Sequence, residues 1–186
     1  IQFTAPGSIA SNSLRALVSS SDGNVIAFGM NTIIKVYGFS NGVWSQLGSD
    51  IVPSVSNPNE ISIDLSSDGM TLAILIDRST SDSAVCKVFT YSSGSWSQSG
   101  STIDFRPTGI NRVRISGDGT TMALGNNTPD SPYPFNVVRV YRKFQDWESI
   151  FGTITEGKTP TNFFGAGLNL TNDGNNLVTY NTSGVG

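Results

Sequence analysis

Apolar and polar residues alternate with a period of two ahead of three Asp-Gly pairs. Ile61, Ile63 and Leu65 alternate with Ser62, Asp64 and Ser66, Val113 and Ile115 with Arg112 and Arg114, and Leu168 and Leu170 with Asn169 and Thr171. Successive side chains of a strand point to opposite faces, so this pattern predicts half-buried strands. The stretch 14–19 precedes a fourth such pair and alternates less cleanly. The turn aspartates are Asp22, Asp68, Asp118 and Asp173, each followed by glycine. Asp-Gly supplies the positive φ of a tight hairpin. An apolar strand follows at once, over 25–28, 71–75, 121–124 and 176–180. Ala27, Ala73 and Ala123 share one register position there, which suits close approach of a neighbouring sheet.

A third apolar element reads IKVY from Ile34, CKVF from Cys86 and VRVY from Val138. A short turn then leads to a fourth that opens at Trp44, Trp96 or Trp147. The unit is therefore four antiparallel strands, A to D, repeated about every fifty residues. Such a repeat predicts an all-β chain, a β-propeller built of four-stranded blades. The units fall at 8–52, 53–104, 105–155 and an incomplete 156–186, about three and a half blades in one domain over 1–186. Tryptophans recurring at one strand position read as packing anchors between blades. Ile1 shares the register of Ile51, Ile103 and Ile154, just past a D strand. Three and a half blades leave open sheet edges, so a longer parent or a partner chain is expected.

Loop lengths vary on one side only. The A–B and C–D turns are short and nearly constant, while the B–C and D–A connections differ between copies. In an up-and-down blade these connections share one face of the disc. Binding residues tend to sit on variable loops held by a rigid frame. Candidate contacts for a ligand or partner are Asp77 and Arg78 in the second B–C connection, and Asn127, Asp130 and Tyr133 in the third.

Charged residues make up 13% of the chain and the net charge is −3. That leaves no basic stripe for nucleic acid or an anionic membrane surface. No apolar run approaches the roughly 20 residues that span a bilayer, so membrane insertion is not expected. The polar positions are mostly Ser, Thr and Asn, a bias that points to an extracellular or cell-surface protein, with a virion as the alternative. Histidine is absent, which removes the commonest general base and metal ligand. Cys86, the single cysteine, lies in an apolar alternation with Val85 and Val88 and reads as a buried small hydrophobe. Three N-glycosylation sequons begin at Asn126, Asn169 and Asn181. Asn126 and Asn181 fall on B–C loops and are the candidate acceptors, whereas Asn169 lies in an innermost strand.

Residues 164–177, FGAGLNLTNDGNNL, are similar to the FG-GAP repeat of integrin-alpha-like propellers, in which a V.VY strand and a tryptophan follow. Gly29 and Gly125 stand where that repeat has its glycine after the second strand. The resemblance implies a seven-bladed propeller, a role in adhesion or ligand binding, and sometimes calcium in the A–B loop. Similar repeats occur in surface proteins of protists and of large viruses that infect them. Calcium wants six to eight oxygens. Four residues before the turn aspartates stand Val18, Asp64, Arg114 and Asn169, so only Asp64 with Asp68 begins a site, and no cofactor is expected.

Enzymatic signals are weak. The turns lack the spacing and following tryptophan of sialidase Asp-boxes. Glycoside hydrolysis needs two positioned carboxylates, yet Glu60, Glu148 and Glu156 fall in different units. Gly165-Ala-Gly167 leads into a strand, so it forms no phosphate cradle at a helix start. The inward acidic or histidine ligands of a lactonase-like propeller are also not evident. The expectation is a non-catalytic module for protein–protein adhesion or structural assembly, its partners other chains or a second copy. The alternative is a carbohydrate-binding propeller with Asn127, Asp130 and Tyr133 as contacts, and a propeller hydrolase is the remote one.

Overall fold

The computed structural model describes residues 14–30, 33–55, 58–78, 84–105, 111–126, 137–151, 154–155 and 167–180. Among these residues every regular element is a strand, and every pairing is antiparallel. The first sheet is β1 (Leu14–Ser19), β2 (Val25–Met30), β3 (Ile34–Ser40) and β4 (Val43–Gln46), in that spatial order. The second is β5 (Pro58–Leu65), β6 (Thr71–Arg78), β7 (Ala84–Ser92) and β8 (Ser95–Gln98), with β9 (Ile103–Phe105) on β7. The third is β10 (Asn111–Ile115), β11 (Thr121–Asn126), β12 (Val137–Lys143) and β13 (Trp147–Ser149), with β14 (Ile154–Thr155) on β12. β15 (Gly167–Leu170) and β16 (Leu177–Tyr180) form a two-stranded fourth sheet.

The D–A segment forms pairings that the sequence pattern did not predict. β8 covers only Phe89 to Ser92 of the long β7, and β9 returns to pair Ala84 to Cys86. Ile51 bridges Ile34 and β14 pairs β12 in the same manner. The short D strand leaves half of the C-strand edge unpaired, and the returning segment satisfies those backbone groups.

The inner strands pack in series, β1 on β5, β5 on β10 and β10 on β15. A core lies at each seam. Ala27, Ile34 and Val36 meet Ile61, Ile63, Leu72 and Ile74. Ala73, Leu75, Cys86 and Val88 meet Val113, Ile115, Met122 and Leu124. Ala123, Val138 and Val140 meet Leu168. The B strands β6 and β11 are thus buried on both faces, which is why they read as continuous apolar runs rather than alternations. Ala27, Ala73 and Ala123 each pack into the seam with the following sheet, as their small size predicts. Cys86 is fully buried, its Sγ 3.4 Å from Met122 Sδ, and burial pushes its thiol pKa far up.

The two hairpin types differ. Asn41-Gly42 (φ 51° and 81°) and Ser93-Gly94 (51° and 84°) join the C and D strands of the first two sheets as two-residue loops with both φ positive, the type I′ pattern. The Asp-Gly turns are not of this kind. Only their glycines are left-handed, at φ 71°, 72°, 72° and 66° for Gly23, Gly69, Gly119 and Gly174. Each glycine N–H donates to the carbonyl three residues back, as Gly69 does to Ser66 at 2.9 Å. The A–B connection is therefore a longer loop built on a β-turn, not the two-residue hairpin that Asp-Gly suggests.

Candidate functional site

A hydroxyl two residues before each turn aspartate organises the A–B loop. Ser20 Oγ donates to Asp22 (2.7 Å) and accepts from Val25 N–H (2.9 Å). Ser66, Ser116 and Thr171 repeat both bonds, the acceptor carboxylates being Asp68, Asp118 and Asp173 and the donor amides those of Thr71, Thr121 and Asn176. Each aspartate also takes the N–H two residues on, from Asn24, Met70, Thr120 and Asn175. Hydrogen bonds to the charged form favour it. The Ser20 hydroxyl, with the amide and side chain of Asn24, holds Asp22 at a pKa of about 2. The Thr171 hydroxyl lowers that of Asp173. At Asp118 burial pulls upward, and the Ser116 and Thr120 bonds outweigh it. The sequence carries a plain signal for this hydroxyl in its S/T-x-D-G spacing, and the reading by alternation passed over it.

The same turns join the sheets. Ser21 N–H donates to Ser67 O (3.2 Å), Ser67 N–H to Gly117 O (2.8 Å) and Asp118 N–H to Asn172 O (3.0 Å), a chain of backbone bonds from turn to turn. The turn glycines face the other way. A Cβ on Gly69 would lie 2.5 Å from Val25 Cβ, on Gly119 2.9 Å from Thr71 Oγ1 and on Gly174 2.4 Å from Thr121 Oγ1, each in the preceding sheet. Two tryptophans tie the outer strands. Trp96 Nε1–H donates to Leu47 O (2.8 Å) and Trp147 Nε1–H to Ser99 O (3.0 Å), again in the preceding sheet. This bears out the reading of Trp96 and Trp147 as anchors between blades, whereas Trp44 packs with Phe28 and Tyr37 of its own sheet.

Where the inner strands converge, two adjoining depressions open. The larger, about 330 Å³, lies at the A–B turn end. Equivalent positions of all four sheets line it, among them Ser19, Asp64, Arg114, Asn169 and Asn172. The other, about 250 Å³, lies towards the starts of the inner strands and is lined by Arg15, Leu17, Glu60, Ser62, Arg112 and Arg114. The inner wall therefore carries two carboxylates, where the sequence suggested that inward acids were missing. Both are engaged. Glu60 Oε1 accepts from Arg112 Nη1 (3.1 Å), and Asp64 Oδ2 accepts from Ile115 N–H (2.9 Å). Burial raises the Asp64 pKa, with the Ile115 bond and the Arg114 charge pulling against it. Asp64 and Asp68, the one pair considered for calcium, bond to different partners. Among the described residues no three metal-binding side chains cluster.

The B–C candidates are placed only in part. Asp77 and Arg78 are not in a loop but end β6, and Asp77 is buried opposite Ala84. Asn126 is likewise the last residue of β11, fully buried, with its Oδ1 accepting from Val137 N–H (2.8 Å). That corrects the loop placement of this sequon: the carboxamide closes the β11–β12 connection and is not presented to solvent. Asn127, Asp130, Tyr133 and Asn181 lie outside the described residues. Asn169 is on β15, the innermost strand as expected, and is exposed at the axial pocket.

No family model and no curated protein matches the chain. Solved structures do share its fold. Hydrazine synthase of Kuenenia stuttgartiensis superposes with a TM-score of 0.63 at 16% identity, over 88% of this chain and 48% of that one. A candidate 6-phosphogluconolactonase from Bacteroides fragilis gives 0.54 at 18%, over 76% and 39%. TolB from Acinetobacter baumannii gives 0.50 at 14%, over 92% and 38%. The chain thus spans less than half the length of each. At such identities the likeness is one of fold alone. Four-stranded antiparallel sheets packed face to face in series, together with these neighbours, define the chain as an all-β protein of β-propeller fold.

Proposed function

We propose that this chain is a non-catalytic propeller module of the FG-GAP type that works by binding, in protein–protein adhesion or structural assembly. Its setting is a cell surface, an extracellular structure or a virion, and its partners are other protein chains or a second copy of itself. One observation carries the reading. The four turn aspartates, the most repeated chemistry in the chain, are each spent on their own hairpin. The hairpins in turn bond sheet to sheet. That gives a rigid frame, and the variable B–C connections, with Asn127, Asp130 and Tyr133 and with Arg78 at the end of β6, remain the place for recognition. A second reading, a carbohydrate-binding propeller, draws support from the Ser, Asn and Arg lining of the axial pocket.

Analytical ultracentrifugation of the chain across a wide concentration range, with capture of surface proteins from its native source, tests the leading reading. Reversible self-association, or a partner retained by the chain and released by B–C loop variants, is expected. A monodisperse monomer that retains no partner overturns it. A glycan array tests the second reading, and an array without a single bound glycan removes it.

A further inference from the structure

The seam between the second and third sheets shows how inner-edge amides are satisfied. β5 presents acceptors to the exposed edge of β10. Ser62 Oγ accepts from Val113 N–H (3.2 Å) and Asp64 Oδ2 from Ile115 N–H (2.9 Å). β15 pairs β16 in the register in which β10 pairs β11, so Leu168 and Leu170 occupy the places of Val113 and Ile115. At this next seam Arg112 and Arg114 stand where Ser62 and Asp64 stood. A guanidinium has five N–H donors and no acceptor. Arg112 turns back to Glu60. Arg114 gives one N–H to Val113 O (2.8 Å) and lines both depressions, the larger one together with Leu170 and Asn169. Where one seam has a carboxylate on an edge amide, the next brings a second donor to the edge.

We propose that the axial pocket binds a small hydroxylated carboxylate, of the size and chemistry of a hexuronic acid. Its carboxylate takes, between Arg114 and the Leu170 edge, the place that Asp64 takes at Ile115. Guanidinium–carboxylate bonds are charge-assisted and suit this position. The remaining lining fits a polyol: Ser19 and Asn169 offer donors and acceptors, and Asp64, already bonded to Ile115, has acceptor capacity for a ligand hydroxyl. The volume, about 330 Å³, lies at the small end of the ~300–1,000 Å³ usual for small-molecule sites. The proposal does not depend on the adhesion reading, since the pocket lies on the axis and not among the B–C loops.

Titration calorimetry with sodium glucuronate, glucose and sodium acetate tests it on the whole chain. Glucuronate is expected to bind about tenfold more tightly than either of the others, and more weakly as salt rises. Arg114→Gln is expected to weaken glucuronate by about tenfold or more. Asn169→Ala, at an exposed position, should weaken it several-fold, and Lys35→Gln, at the distant Asp50 pair, should leave it unchanged. Thermal melts report whether each variant folds, and Arg114→Lys replaces Arg114→Gln if the latter does not. Glucuronate binding no tighter than that of glucose or acetate overturns the proposal, and so does a folded Arg114 variant that binds like the parent.

Discussion

Gly69 and Gly94 have similar left-handed backbones, φ 72° and 84°, in turns that close adjacent hairpins of one sheet. Their surroundings are opposite. A Cβ on Gly94 would meet nothing within 4 Å, whereas one on Gly69 would press into the branched side chain of Val25 in the neighbouring sheet. At Gly94 the glycine serves only to match strand twist, although the third C–D turn also reaches the preceding sheet, its Asp146 Oδ1 accepting from Ser101 N–H (2.8 Å). The A–B turn is also a joint, with its glycine against the preceding sheet and its backbone bonded to the following one. One residue type at one φ thus carries either a conformational role alone or that role plus a packing role.

The largest break in this contrast is Gly69→Ala. It adds left-handed strain of about 1–2 kcal/mol to a contact that Val25 cannot relieve by rotating. A loss of about 3 kcal/mol is expected, read as a shift in the denaturant midpoint at unchanged slope. Ser116→Ala comes next. It leaves the buried Thr121 N–H without its acceptor and removes the Asp118 bond, at a cost of about 2 kcal/mol in the same assay. Trp96→Phe keeps most of the packing and deletes the bond to Leu47 O. A loss of about 1.5 kcal/mol is expected, and an equally stable variant would mean that the outer strands are not tied through that bond.

Acid should act mainly through the turns. Asp22 sits at about 2, below the ordinary 3.8, and Asp118 and Asp173 are also lowered. The stability they give is present above the unfolded value and is lost as pH falls from about 4 to 2. Asp64 is raised and has the opposite sign, since acid relieves its buried charge. Asp64→Asn should therefore steepen the net loss, which pH-dependent melts would show. A flatter profile in that variant would contradict the assignment.

Much of this frame is visible in the chain itself. Period-two alternation marks the inner strands, continuous apolar runs mark the doubly buried B strands, and Ala27, Ala73 and Ala123 mark the tight seams, because each reflects which faces are covered. Trp96 and Trp147 likewise reveal their role through position. The D–A return was not legible, because two or three residues such as Ile103 to Phe105 are too short to show a period. The turn hydroxyls Ser20, Ser66, Ser116 and Thr171 were present in all four copies. They read as ordinary polar residues because alternation reports faces and not hydrogen bonds. The axial pocket escaped for a different reason. Asp64, Arg114 and Asn169 belong to separate repeats, and only the stacking of sheets brings them around one axis, whereas variable loop length drew attention to the opposite face.

The central claim is that the glycine of the second sheet's A–B turn is wedged against the preceding sheet while the glycine of its C–D turn stands clear. Equilibrium denaturation of Gly69→Ala beside Gly94→Ala tests it most directly. Strain alone predicts about 1 kcal/mol for Gly94→Ala, and the joint predicts about 3 kcal/mol for Gly69→Ala. Equal losses in the two variants would contradict it.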